Sequence, residues 1–198
     1  MREGIGEDTV SRWLSYMTPE QRERLSGYRR RADFLRSLAG EALVREVVAK
    51  RVGAAPEQLV IARGEWGKPY LPDYPDVHFN ISHSGDWAVC AVSGQEVGVD
   101  IEKVREKEPS PALIKKVLSE REQGQLAALT GEVKKVAFYC FWTMKEAYAK
   151  REGRGLRMEL ATIELNKEAV RVVEFCEGYV LAVCGEGVVI HSILKNLH

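Results

Sequence analysis

The chain has 198 residues, with 29 Lys+Arg against 29 Asp+Glu, so its formal net charge is zero. A composition of 45% hydrophobic and 29% charged residues is that of a folded globular protein and excludes a disordered one. A neutral chain also has no overall positive field to steer nucleic acid, which argues against a nucleic-acid partner.

The length suits one large domain or two small ones. Val136 to Trp142 is about the longest apolar run, far short of the roughly 20 residues of a membrane helix. The acidic start, Met1 to Asp8, does not read as a signal peptide. The four cysteines, Cys90, Cys140, Cys176 and Cys184, form no CxxC pair and sit among apolar neighbours. Free thiols in a reducing cytoplasm are the expectation, with no membrane association.

Thr18-Pro19-Glu20-Gln21 is a helix start, with Thr as N-cap, Pro at the first position and Gln closing a capping box. Leu35, Leu38, Ala39, Ala42, Leu43 and Val47 then predict a longer helix over Arg31–Arg51, stopped by Gly53. Short strands follow at Leu59–Arg63, Val77–Ser82, Trp87–Val92 and Glu96–Glu102, separated by Gly- and Pro-containing turns. Helical segments are expected at about Ser110–Leu129 and Glu132–Glu152, then strands at Ala161–Leu165, Val170–Phe175, Tyr179–Cys184 and Val188–Ile193. Helices then strands, twice over, read as two α+β halves, 1–98 and 99–198, packed as one unit.

Asp100 and Glu102 stand two apart in Gly98-Val99-Asp100-Ile101-Glu102, so on a strand both carboxylates share a face. That is either plain in–out alternation or a pair of oxygen donors for a hard cation such as Mg²⁺. On the long helix, Trp142, Glu146 and Lys150 recur at i, i+4 and i+8. The stripe is either a solvent ion pair or a third carboxylate with a lysine beside phosphate. Ser82 and His83 lie in a strand-to-turn corner closed by Gly85, a phosphate cradle or a structural turn. Lys68 precedes the rigid Pro69, and Arg31 and Arg36 belong to a basic cluster at a helix start. Glu122 completes a capping box with Ser119, and the same carboxylate could act as a general base. No GxxxxGK[ST], GxGxxG or GxSxG signature occurs, which disfavours P-loop NTPases, dinucleotide oxidoreductases and α/β-hydrolases.

Four segments in this order carry a resemblance: Gly67-Lys68-Pro69-Tyr70, Phe79-Asn80-Ile81-Ser82-His83-Ser84-Gly85, Gly98-Val99-Asp100-Ile101-Glu102-Lys103 and Phe141-Trp142-Thr143-Met144-Lys145-Glu146-Ala147-Tyr148-Ala149-Lys150. Together they resemble the 4′-phosphopantetheinyl transferases of the surfactin-synthetase-activating type. The likeness runs from about Trp13 to Cys184. It implies two similar α+β halves related by pseudo-twofold symmetry, with the active site in the cleft between them. It implies transfer of 4′-phosphopantetheine from coenzyme A to a serine of an apo acyl or peptidyl carrier protein, with release of adenosine 3′,5′-bisphosphate. By the resemblance Asp100, Glu102 and Glu146 bind Mg²⁺, with Mn²⁺ as an alternative, and Asp100 and Glu146 also face coenzyme A. By the same resemblance Lys68, Pro69, Ser82, His83, Lys145 and Lys150, joined by Arg31 or Arg36, hold the coenzyme, Lys150 steadies the leaving phosphate, and Glu122 is the candidate base for the serine proton, directly or through a metal-bound water.

The family opens with an apolar strand, whereas residues 1–10 here are polar. Apolar surface near Leu113 to Val117 and Leu126 to Leu129 is the expected docking face for the carrier. Two fused halves lead us to expect a monomer. The competing readings are a Mg²⁺-dependent phosphodiesterase or nuclease, and a non-catalytic module that binds coenzyme A or a carrier protein.

Overall fold

The computed structural model describes residues 5–153, 158–165 and 169–194, residues 193 and 194 by backbone only. The first half begins with helices α1 (Glu7–Ser15), α2 (Pro19–Ser26) and α3 (Arg31–Val52). Thr18 caps α2 through the complete box with Gln21. Gly53 ends α3 at φ 71°, a left-handed turn that costs glycine little. Strands β1 (Ala62–Arg63), β2 (Pro69–Tyr70), β3 (His78–Ser84) and β4 (Trp87–Ser93) follow.

The second half holds β5 (Gly98–Lys103), α4 (Pro111–Val117), α5 (Glu120–Ala127), α6 (Gly131–Glu152), β6 (Val170–Val173), β7 (Tyr179–Cys184) and β8 (Val189–Leu194). Each half lays a 22-residue helix, α3 or α6, on a three-stranded antiparallel sheet. The strand orders are β3-β4-β8 and β5-β7-β6. A boundary after residue 98 puts β8 with the second half by sequence, yet its hydrogen bonds are to β4 of the first.

Strand β4 is buried along nearly its whole length, and its alternation divides the core. Ala88, Cys90 and Val92 join the cluster under α3. Val89 and Ala91 join the cluster with Val99, Ile101, Leu181 and Val183 of the second half. That shared core fixes one half against the other. On β5 the apolar pair Val99 and Ile101 enters this core, so Asp100 and Glu102 take the opposite face.

Three sequence expectations are corrected. The segment Leu59–Arg63 forms strand only at Ala62–Arg63, because Pro56 starts a short 3₁₀ turn just before it. Ser110–Leu129 is two helices, broken where Leu118 goes extended and Ser119 caps a new start. Ala161–Leu165 is not a strand; a 3₁₀ turn occupies Leu160–Thr162. The N-terminal segment is helical from Glu7, and residues 1–4 lie outside the described residues. Among the described residues no helix is long and apolar enough to cross a membrane.

Candidate active site

Alternation along β3 builds the first wall. Phe79 and Ile81 pack under α3, which turns Asn80, Ser82 and Ser84 toward β5. Strands β3 and β5 belong to different sheets and are joined through these side chains. Val99 N donates to Asn80 Oδ1 at 3.1 Å, Ser82 Oγ to Asp100 Oδ1 at 2.8 Å, and Ser84 Oγ to Glu102 Oε2 at 2.9 Å. Lys103 N then donates to Ser84 Oγ at 3.0 Å. Three polar residues at period two thus hold the carboxylate-bearing strand in register with β3.

Helix α6 supplies the opposite wall, with Trp142, Glu146 and Lys150 on one stripe. Its approach to β5 depends on Gly98, where a Cβ would stand 1.9 Å from Ala147 O. The walls enclose a cavity of about 350 Å³ lined by Ser82, His83, Asp100, Glu102, Glu146 and Lys150. Lys150 Nζ donates to Ser82 Oγ at 2.9 Å and to Asp100 Oδ1 at 2.6 Å. His83 is exposed on the rim.

The electrostatics of this cavity are those of crowded carboxylates. Burial, and then the charge of Asp100, push both Glu102 and Glu146 above the ordinary glutamate value. Lys150 offsets part of that in each case. Asp100 is 4% exposed, and among the described residues its Oδ2 is buried with no hydrogen-bond partner. A buried acceptor left unsatisfied is costly, and a hard divalent cation is the group that satisfies it with oxygen ligands. Among the described residues no three His, Cys, Asp or Glu side chains stand close enough to hold a metal as they are. The fit of these residues to a cation rests on Oδ2 and on the two raised carboxyls.

A second cavity, of about 260 Å³, shares Ile81 and Lys150 with the first and continues it past Asn80 to Trp66, Lys68 and Pro69. Gly67, at φ 81°, makes the turn that presents Lys68 and Pro69. Lys68 Nζ donates to Arg151 O at 2.7 Å and pairs with Glu96.

Six of the residues singled out from the sequence therefore line one cavity, Ser82, His83, Asp100, Glu102, Glu146 and Lys150, and Lys68 and Pro69 line the next. Four others stand elsewhere. Arg31 pairs with Glu7 and Arg36 with Asp33, and neither lines a cavity of this site. Lys145, expected at phosphate, is fully buried. It donates to Val117 O at 3.1 Å and Leu160 O at 2.9 Å and pairs with Glu122 Oε2 at 2.5 Å. One residue before Glu146, it falls on a neighbouring side of α6, against α4 and α5 rather than β5. Glu122 also accepts from Ser119 N at 2.8 Å, so its contacts are those of a helix cap and a counter-ion.

The apolar face expected around Leu113 to Val117 and Leu126 to Leu129 is partly core, since Val117 and Leu126 are buried. The large exposed apolar side chains beside it are Val133 and Val136, on the first turns of α6. The sequence reading missed Asn80 and Ser84 as struts, although the Asn-x-Ser-x-Ser period of two announces them. It also missed Glu96, which no local pattern marks.

Comparison with known proteins gives this chain a family. The family model "4'-phosphopantetheinyl transferase, N-terminal" matches residues 6–95, and "4'-phosphopantetheinyl transferase superfamily" matches residues 96–185. The chain is 33% identical to the 4'-phosphopantetheinyl transferase Sfp of Bacillus subtilis, over 91% of this chain and 87% of that protein. A second Bacillus subtilis 4'-phosphopantetheinyl transferase is 35% identical, over 85% of this chain and 75% of its own length. The 4'-phosphopantetheinyl transferase HetI of a Nostoc strain is 31% identical, over 81% and 64%. With both matches falling on the halves that build the cavity, the chain belongs to the 4′-phosphopantetheinyl transferases and is an enzyme of the Sfp type.

Proposed function

We propose that this enzyme moves 4′-phosphopantetheine from coenzyme A to a serine hydroxyl of an apo acyl or peptidyl carrier protein, releasing adenosine 3′,5′-bisphosphate. The observation that carries the reading is the convergence of Asp100, Glu102, Glu146 and Lys150 in one cavity that opens toward Lys68. The cavity beside Lys68 and Pro69 takes the nucleotide end of coenzyme A, and Ser82 and His83 meet its phosphates. The pyrophosphate lies in the carboxylate cavity, where Lys150 steadies the phosphate that leaves. Asp100, Glu102 and Glu146 would hold a magnesium ion, which when bound would supply positive charge against the pyrophosphate. The serine oxygen forms a bond to the β-phosphorus while the bond from that phosphorus to the bridging oxygen breaks, and the hydroxyl proton passes to a carboxylate of the cavity. In such chemistry the chain mainly positions the reactants and balances charge.

We further place the enzyme in the cytoplasm as a monomer, a reading supported by its four unpaired cysteines and by the internal pairing of two similar halves. The test is the intact mass of a serine-bearing apo carrier protein after incubation with enzyme, coenzyme A and Mg²⁺. A gain of about 340 Da that disappears with a chelator supports transfer and metal dependence together. Binding of coenzyme A without any gain, across acyl and peptidyl carriers, turns the reading into that of a binding module.

A further inference from the structure

Lys68 follows a glycine turn, yet its side chain is only 19% exposed. It separates two hollows: the nucleotide cavity in front, and behind it one of about 370 Å³ lined by Glu96, His78, Tyr70 and Tyr74 among others. Glu96 lines only the rear hollow. One carboxylate oxygen of Glu96 pairs with Lys68 Nζ, and the other stands 3.2 Å from His78 Nδ1. Its backbone is tied as well, since Arg151 Nε donates to Glu96 O at 3.4 Å. Lys68 also donates to Arg151 O, and Gly153 lets its stem pass where a Cβ would come within 3.1 Å. The short segment between β4 and β5 is in this way clamped to the C-terminal end of α6, with Lys68 between them. An ammonium has three donors; among the described residues Glu96 and Arg151 O take two, which leaves one for the front cavity that Lys68 also lines.

We propose that Glu96 is a positioning residue that holds Lys68 extended toward the phosphates of the nucleotide end of coenzyme A, an inference that rests on the function proposed above. A lysine kept in one rotamer by a carboxylate behind it has less side-chain freedom to lose when an anion arrives. Glu96 acts through Lys68 alone and touches no reacting atom. Its effect therefore falls on the affinity for coenzyme A and leaves the chemical step unchanged.

The experiment is a double-mutant cycle with Glu96→Ala, Glu96→Gln, Lys68→Ala and Lys68→Ala/Glu96→Ala in the full chain. Each variant is read by transfer kinetics with varied coenzyme A and by calorimetric binding of adenosine 3′,5′-bisphosphate. We expect Glu96→Ala to raise KM for coenzyme A about tenfold, with kcat within about twofold, and to weaken bisphosphate binding by a similar factor. Glu96→Gln keeps an acceptor for Lys68 without the charge and gives an intermediate rise, which also serves if the alanine variant folds poorly. In the Lys68→Ala background, Glu96→Ala has no further effect.

An unchanged or lower KM overturns the proposal, the lower value meaning that Glu96 competes with the ligand for Lys68. An equal rise with Lys68 already absent overturns it too, because Glu96 would then be acting on the fold in general. Loss of kcat with KM unmoved likewise overturns it. A wild-type protein that fails to bind coenzyme A removes the functional reading itself, and this inference with it.

Discussion

Lys150 holds Asp100 by one oxygen only: Nζ lies 2.6 Å from Oδ1, while Oδ2 is buried and, among the described residues, without a partner. Asp100→Asn removes the charge and keeps the shape. We expect transfer to fall about a thousandfold or more, with melting within a few degrees of wild type. Intact-mass assays of the carrier, together with thermal unfolding, check both parts.

The same oxygen predicts how the fold responds to Mg²⁺. A cation that binds only the folded chain stabilises it, by about 2.7 kcal/mol at a hundred times its dissociation constant. Saturating Mg²⁺ should raise the melting temperature of wild type by about 5 °C. Asp100→Asn should lose most of that shift, and a wild type that does not respond contradicts the assignment of the three carboxylates.

Lys145 and Lys150 stand on one helix and should fail in opposite ways. Lys145 is fully buried and paired with Glu122. Lys145→Ala leaves a nearly buried charge alone and should cost about 3–5 kcal/mol of stability. Lys150 is partly exposed, so Lys150→Ala should cost less stability than Lys145→Ala although it takes the partner from Asp100, and its main effect should be a lower kcat. Chemical denaturation and steady-state kinetics on the two variants separate the roles.

Gly98 sets the distance between the two walls of the site. Gly98→Ala drives a Cβ into Ala147 O and Arg151 N, both backbone atoms that cannot swing away. We expect a loss of about 3 kcal/mol and a larger loss of transfer, because Asp100 and Glu102 then shift against Glu146 and Lys150. Wild-type activity in this variant would mean that the β5–α6 spacing does not matter.

Glu96 carries a pH signature. Burial raises its carboxyl, but the hydrogen bond and charge of Lys68, and then His78, outweigh this and hold it below its ordinary value. Its stabilisation is therefore present above the unfolded value of about 4.3 and is lost as pH falls through the lower folded value. The side chain is 54% exposed, so the effect is small. Glu96→Gln should melt about 1–2 °C below wild type at neutral pH, and the difference should vanish as acidification protonates Glu96 in the folded state.

Where a feature depends on local period and capping, the sequence announces it. The α2 and α5 capping boxes, the bounds of α3 and α6, and the shared face of Asp100 and Glu102 all follow from spacing. Features that depend on which neighbour arrives do not follow in the same way. Lys145 and Glu146 are adjacent in a lysine- and glutamate-bearing helix, and only the placement of α4 and α5 buries one while β5 receives the other. Arg31 reads as part of a basic patch until Glu7 is seen to pair with it, whereas Arg36 pairs with Asp33 three residues back on its own helix, a spacing the sequence does show. The partnership of Glu96 with Lys68 spans 28 residues and several turns, with no periodicity to betray it.

The return of β8 to the first sheet also orders the protein's assembly in time. Without Val189–Leu194, the first half has β3 and β4 as a two-stranded hairpin under α3, a pairing of marginal stability alone. The three-stranded sheet of the first half is completed by the strand that leaves the ribosome after all the other described elements. Such long-range closure is slow, and α3 holds only an incomplete platform until synthesis has passed Leu194. The two halves therefore mature together, and a nascent chain stalled before β8 exposes β4's open edge to any strand it meets.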